Sequence, residues 1–392
     1  MLNLMGLFMV TLGLSTGDAA GARRPPVVML SIDGLRPDYV LNAEKLGLRI
    51  PNLRALRDGG AFASGVRGVL PTITYPSHVS LITGVAPDRH GIRNNWSFDP
   101  LQQNQGGWHW YASDIQVPTL WDVTTAAGKR AANIDWPVSV GAGVAYNIPQ
   151  IWRAGTADDA KLLRAVATPG LISELEAHVG HYARGYDYHL TGDARRAAYA
   201  VHLLRAKHPD LLTVYFGALD AQQHASGVAT PSVLEVLEQI DALVGELWRA
   251  ARDSGGGEAY LCVVSDHGFA PVDKEIHLNV ALKREGLLQG ERGRVSAWEA
   301  TTWSAAGTAL VAVRDVHDAS VRGRLRALLG HLRADPTAGI AMVTEVSPHA
   351  EDAVAFVLLA RPGFEFGSDN FEGPLITPAV HKATHGYSPE DP

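Results

Sequence analysis

Three aspartates in this chain follow apolar runs, and two of them have a histidine attached or close by. The first run closes in Ser31-Ile32-Asp33-Gly34. The second closes in Tyr215-Phe216-Gly217-Ala218-Leu219-Asp220, with His224 four residues on. The third closes in Ser265-Asp266-His267-Gly268, and a further histidine stands in Thr384-His385-Gly386-Tyr387. One aspartate after a strand is usually a turn residue, but in an open α/β sheet ligands sit beyond the carboxyl ends of the strands, so three such carboxylates can converge. Carboxylate and neutral imidazole are good zinc ligands, and a catalytic zinc keeps one position open. Asp33, Asp220, His224, Asp266, His267 and His385 suffice for two metal ions at about three protein ligands each, around a shared nucleophile.

A nucleophile for such a centre is offered by Pro71-Thr72-Ile73-Thr74-Tyr75-Pro76-Ser77-His78, which precedes the helical pattern Val79–Thr83 and Gly84. Pro76 suits a first helical turn. Thr74 then lies just before a helix N-terminus, where free amides and the helix dipole stabilise an oxyanion or a bound phosphate. A threonine hydroxyl is a weak nucleophile until a metal ion deprotonates it. Spacing alone leaves Thr72, Thr74 and Ser77 open for the role, and Thr74 could also be only a helix cap.

The elements that must position these groups read as an α/β alternation. Val27–Ile32, Leu211–Phe216 and Tyr260–Val264 are apolar runs of the kind buried on both faces of a parallel sheet. Helices are predicted at Pro51–Arg57, Pro118–Ala127, Arg195–Lys207, Pro231–Arg252 and Val316–Leu332, several opened by Pro or closed by Gly. Ala309–Val313 and Ala353–Leu359 read as later strands. The order implies a largely parallel central sheet flanked by helices. Trp96–Ala112 and Gly141–Arg184 are poorly patterned and read as lid or cap insertions over a site, or as surface loops.

The 392 residues are 46% hydrophobic and 19% charged, with a net charge of -7 and no block of like charge. Nucleic-acid binding through a basic patch is thereby excluded. One cysteine, Cys262, rules out a disulfide within the chain, and it reads as a core residue of its strand. A metal site must therefore use His, Asp and Glu. Residues 1–22 read as an export signal: Leu2–Leu14 is a short apolar run and Ala20-Gly21-Ala22 a small-residue cleavage site, although no Lys or Arg precedes the run. No other segment reads as transmembrane, so the expected location is periplasmic or secreted.

In this order the motifs resemble the nucleotide pyrophosphatase/phosphodiesterases of the alkaline phosphatase superfamily. Those already quoted are joined by Thr83-Gly84 and His90-Gly91-Ile92-Arg93-Asn94-Asn95. The resemblance implies an alkaline-phosphatase-like α/β fold and two zinc ions. One would be held by Asp33, Thr74, Asp266 and His267, and the other by Asp220, His224 and His385. It selects Thr74 as the nucleophile and gives Asn95 the task of holding a phosphoryl oxygen together with the Thr74 amide. Tyr75 and Tyr215 match positions that stack on a nucleotide base, or are core aromatics. The implied reaction cleaves a phosphodiester or pyrophosphate bond of a small phosphate ester through a phosphothreonine intermediate. Arg93 keeps a phosphomonoesterase open, and a binding protein that kept the fold without the chemistry is the other alternative. Relatives continue past Thr-His-Gly-Tyr with a strand and a helix, whereas this chain stops at Pro392. Residues 23–392 are expected to be one catalytic domain that lacks them.

Overall fold

Five parallel strands carry the three aspartates: β1 (Val27–Ile32), β2 (Ala131–Ile134), β3 (Tyr146–Ile148), β4 (Leu211–Phe216) and β5 (Tyr260–Val264). Their order in the sheet is β3-β2-β4-β1-β5. They belong to a computed structural model that describes residues 24–103, 107–153, 155–182, 187–347, 353–367 and 370–390. The expected export signal at 1–22 lies outside the described residues. Side chains alternate across a strand, and both faces of β1 and β4 are covered. Val28, Leu30, Ile32, Leu212, Val214 and Phe216 enter one core with the helices Leu190–Lys207 and Pro231–Ser254. Met29, Ala131 and Leu211 enter another with Ile82 of the helix Thr74–Thr83 and Trp121 of the helix Leu120–Ala126.

The strand β5 departs from expectation. Among the described residues it pairs only with β1 and forms an edge of the sheet. Tyr260 is 65% exposed, and Cys262 is exposed rather than core. An apolar run of five residues carries no mark that separates a central strand from an edge strand.

The register sets the rim of the sheet. Ile32 pairs with Phe216 and Ser31 with Val264, so the carboxyl ends of β1, β4 and β5 are level. Asp33, Asp220 and Asp266 all leave from that rim.

Beyond β5 the chain quits the parallel sheet, which the sequence pattern did not foresee. Ala300–Ala305, Thr308–Val313, Val354–Ala360 and Ile340–Glu345 form a separate antiparallel sheet with its own apolar core, packed by the helix Ala319–Ala334. The strand Ala270–Ile276 pairs with Gly363–Phe366, Ile376–Pro378 and Ala383–Thr384. The last pairing sets Thr384 opposite Ala270 and thereby returns His385 to the neighbourhood of His267.

The poorly patterned stretch from Gly141 is part of the α/β body, holding β3 and the helices Asp158–Val166 and Leu171–Val179. Trp96–Ala112 is irregular as expected, closed by a bridge between Trp96 and Trp108. The helix expected at Arg195 begins five residues earlier, at Leu190.

Candidate active site

Asp33, Asp266 and His267 meet at one point. His267 Nε2 lies 3.2 Å from Asp33 Oδ1 and 3.2 Å from Asp266 Oδ2. Each carboxylate has one oxygen tied and the other without a hydrogen-bond partner. Tyr215 donates its hydroxyl to Asp33 Oδ2 at 2.6 Å, and the Gly34 amide donates to Asp266 Oδ1 at 3.1 Å. Asp33 Oδ1 and Asp266 Oδ2 are buried and unpartnered. Gly34 is required here: its φ is +69°, and a Cβ would stand 2.6 Å from Phe269. His267 Nδ1 lies 3.2 Å from the Gly268 carbonyl, which leaves Nε2 turned to the carboxylates.

Asp220, His224 and His385 gather beside them. Asp220 and His224 lie one turn apart on the helix Ala218–Ser226, a spacing that puts both on one face. Asp220 Oδ1, also buried and unpartnered, is 3.5 Å from His224 Nε2 and 3.7 Å from His385 Nε2. The His385 ring stacks on His267 with centroids 3.7 Å apart. His224 Nδ1 lies 2.9 Å from the Ala383 carbonyl, which fixes the ring with Nε2 toward Asp220. His385 is anchored through its neighbour: Gly386 N–H donates to the Thr72 carbonyl, and a Cβ on Gly386 would lie 2.3 Å from the Ala305 carbonyl oxygen.

Among Thr72, Thr74 and Ser77, the hydroxyl at the cluster is that of Thr74, 3.4 Å from His267 Nε2. Thr72 donates instead to the Tyr387 carbonyl at 2.6 Å. Thr74 is the first residue of its helix, with Ile73 in an extended conformation before it, rather than a residue outside the helix. Asn95 Oδ1 accepts the Tyr75 amide at 2.8 Å, tying the Asn94-Asn95 turn to that helix start.

His78, quoted in the motif but given no role by the sequence, is enclosed between the parts. Its Nδ1 lies 2.8 Å from the Thr74 carbonyl and 3.4 Å from Asp266 Oδ2, and its Nε2 lies 2.8 Å from Ser31 Oγ. Its i+4 spacing from Thr74 was the available signal.

Tyr75 and Tyr215, which by sequence could stack on a base or be core aromatics, are both buried. Tyr75 is 1% exposed, packs against Trp108 and Trp110, and donates its hydroxyl to Gln150. Tyr215 is 3% exposed and acts through its hydroxyl on Asp33. The Tyr215 ring packs against His78 and Tyr188.

Electrostatically the cluster concentrates acidic groups that repel one another. Burial pushes the Asp33, Asp220 and Asp266 carboxyls well above the usual range, and each is pushed further by another of the three. Burial likewise pushes His267 and His385 well below the usual imidazole range and His224 down to about 4. Two groups of potential metal ligands result, Asp33 with Asp266 and His267, and Asp220 with His267 and His385, each within 4.8 Å. Three unpartnered carboxylate oxygens facing deprotonated imidazoles are what a divalent cation would satisfy. The oxygen and nitrogen donor set suits zinc or a similar ion.

Known proteins resemble the chain in sequence and in fold. The profile of the family described as "Type I phosphodiesterase / nucleotide pyrophosphatase" matches residues 27–388. Ectonucleotide pyrophosphatase/phosphodiesterase family member 3 of Rattus norvegicus is 25% identical over 264 residues, which is 64% of this chain and 25% of that protein. Venom phosphodiesterase 2 of Crotalus adamanteus is 26% identical over 263 residues, 64% of this chain and 28% of that one. The match thus spans about a quarter of these relatives' own length. Among solved structures, murine ectonucleotide pyrophosphatase/phosphodiesterase 5, an inactive variant in complex with AMP, has a TM-score of 0.63 at 20% identity, covering 93% of this chain and 85% of that one. Phosphonoacetate hydrolase from Sinorhizobium meliloti 1021, in complex with phosphonoacetate, has a TM-score of 0.66 at 22% identity, covering 93% and 88%. Both share the α/β fold with its parallel central sheet.

Proposed function

The chain belongs to the type I phosphodiesterase / nucleotide pyrophosphatase family, and on that premise we propose that it hydrolyses a phosphodiester or pyrophosphate bond through Thr74. The observation that carries this reading is the trio of buried, unpartnered oxygens on Asp33, Asp220 and Asp266 gathered around the imidazoles beside Thr74. Two zinc ions are its cofactors, with Asp33, Thr74, Asp266 and His267 holding one and Asp220, His224 and His385 the other. Bound there, the metal ions would supply positive charge to lower the Thr74 hydroxyl pKa and to stabilise the entering and leaving oxygens.

The protein's own groups do the positioning. Thr74 sits at the positive end of a ten-residue helix, which favours a phosphoryl group at its hydroxyl. Pro76 has no N–H, the Tyr75 N–H is bound to Asn95, and the Ser77 N–H donates to the Ile73 carbonyl. We assign the Thr74 N–H, with Asn95 Nδ2, to a phosphoryl oxygen. The Thr74 Oγ1 attacks phosphorus, a new P–O bond forms, and the bond to the leaving oxygen breaks as that oxygen takes up a proton. Water then attacks the phosphothreonine, releases a phosphate monoester and restores the hydroxyl. Residues 23–392 act as one catalytic unit, since ligands come from both β1 and the segment around His385. Export through residues 1–22 puts the protein in the periplasm or outside the cell; no described helix is long and apolar enough to cross a membrane.

The test combines zinc content with turnover of p-nitrophenyl nucleotide esters. Wild-type protein should hold two zinc ions and cleave the diester, and Thr74→Ala should lose at least about 10³-fold in kcat while keeping its zinc, as loss of a nucleophile does. Two zinc ions without turnover of any ester would make this a binding protein. Faster cleavage of a simple monoester would make it a phosphatase, and cleavage of phosphonoacetate alone would move the substrate class to phosphonates, as in the structural neighbour that binds one.

A further inference from the structure

Away from the proposed metal ligands, Arg196 and two aspartates form a buried charge cluster. Its side chain and that of Asp193 are fully buried, and Asp135 is 1% exposed. Arg196 Nε lies 2.5 Å from Asp135 Oδ2, and Nη1 lies 3.0 Å from Asp193 Oδ1. Nη1 also donates to the Asp187 carbonyl at 2.8 Å.

Asp193 has a second occupation. Its Oδ1 accepts the Gly217 amide and its Oδ2 the Ala218 amide, both at 3.0 Å. These amides open the helix Ala218–Ser226, whose third and seventh residues are Asp220 and His224. The first turn of a helix leaves amides unsatisfied, and a residue at the helix start commonly caps them with its own side chain. Gly217 has none, and a Cβ there would stand 2.4 Å from the Tyr188 ring and 3.0 Å from the Tyr215 hydroxyl. The cap is therefore supplied from another helix, Leu190–Lys207, by a carboxylate that Arg196 holds in place.

We propose that Asp193 is a positioning residue for the second metal half-site: by clamping the start of the Ala218–Ser226 helix it sets where Asp220 and His224 stand relative to His385. The inference rests on the two-metal reading above. It differs from a general stabilising role because it singles out one of two metal equivalents. Asp33, Asp266 and His267 stand just past the ends of β1 and β5, outside that helix, which reaches them through Gln223 Nε2 donating to the Gly34 carbonyl at 2.9 Å and leaves their own backbone on the sheet rim.

Zinc titration of the full chain, with elemental analysis after dialysis against limiting zinc, tests it. Wild type should bind two equivalents. Asp193→Asn, which removes the charge at nearly constant volume, should keep the first equivalent and bind the second about 10- to 100-fold more weakly, the loss typical of groups that orient metal ligands. Excess zinc should restore the second equivalent. Asp135→Asn is the control: it removes the other partner of Arg196, leaves both amide contacts of Asp193 intact, and should keep both equivalents at wild-type affinity. If Asp193→Asn does not fold, Asp193→Glu gives the same readout by displacing the carboxylate. Unchanged second-equivalent affinity in either folded Asp193 variant, equal losses in Asp135→Asn, or failure of both Asp193 variants to fold overturns the proposal. A wild-type chain that never takes up two equivalents refutes the metal reading instead, and does so before any substitution is made.

Discussion

The two halves of the candidate site are built from different material. Asp33, Asp266 and His267 stand at the ends of β1 and β5, with side chains at most 1% exposed. Tyr215, the Gly34 amide and His78 hold them from behind. Asp220, His224 and His385 come from a nine-residue helix and from the segment after a two-residue strand, and their side chains are 20%, 22% and 9% exposed. The first half inherits its geometry from sheet register. The second is assembled from two parts of the chain that meet only in the finished fold. On the proposed function, the closed half would fix the nucleophile, and the open half would let a departing group and water exchange.

The largest expected effect separates the halves by rescue. Asp266→Asn should cost about 10⁴-fold or more in kcat and should not recover in excess zinc, because nothing can enter the closed pocket to replace the carboxylate. His224→Ala should lose turnover at limiting zinc and regain it to within about 10-fold at high zinc, since water can occupy an open coordination position. Equal recovery of the two variants in a zinc-dependent assay would erase the distinction.

A smaller effect belongs to the support behind the closed half. Tyr215→Phe removes only the hydroxyl that holds Asp33 Oδ2. Zinc affinity of the first equivalent should fall by about 10- to 100-fold with the second unchanged, read by competition with a zinc chelator. A fall in the second equivalent alone would contradict the division.

The smallest effect is on pH dependence. Burial holds Asp135 at about 7 although Arg196 opposes it, so its folded value is above its unfolded one. Such a group stabilises the fold below its unfolded pKa and loses that contribution as pH rises through its folded value. The three site carboxyls are shifted in the same direction. His224, depressed to about 4 from 6.5, contributes fully above pH 6.5 and does not oppose the trend there. Metal-free protein should therefore lose roughly 2–4 °C in Tm between pH 6.5 and 8. Zinc-loaded protein should lose less, because the bound cation takes the place of the displaced protons. Differential scanning fluorimetry with zinc and with a chelator checks this, and parallel curves would place the titrating groups outside the metal cradle.

Much of this was legible before any coordinates. Asp33 or Asp266 alone reads as a turn residue after a strand; what stood out was three such aspartates together with the i,i+4 pair Asp220/His224, which helix geometry puts on one face. The parallel sheet was readable from β1 and β4, whose two-sided burial leaves uninterrupted apolar runs. Other features depend on tertiary context. The strands β2 and β3 have four and three residues, too few to show a period. The separate antiparallel sheet after β5 uses strands that look the same as those of the parallel one. Tyr75 and Tyr215 could be identified as aromatic but not as enclosed, and Asp193 gives no sign in sequence that it caps a helix 25 residues away.

The edge position of β5 reaches beyond catalysis. Asp266 and His267 hang from the end of a strand whose outer side, among the described residues, pairs with no other strand and shows the large ring of Tyr260 to solvent. Such a border is a template on which another chain can add a strand. Self-association begun there would act directly on the segment carrying two of the proposed metal ligands, and would tie colloidal behaviour to metal loading through one strip of backbone.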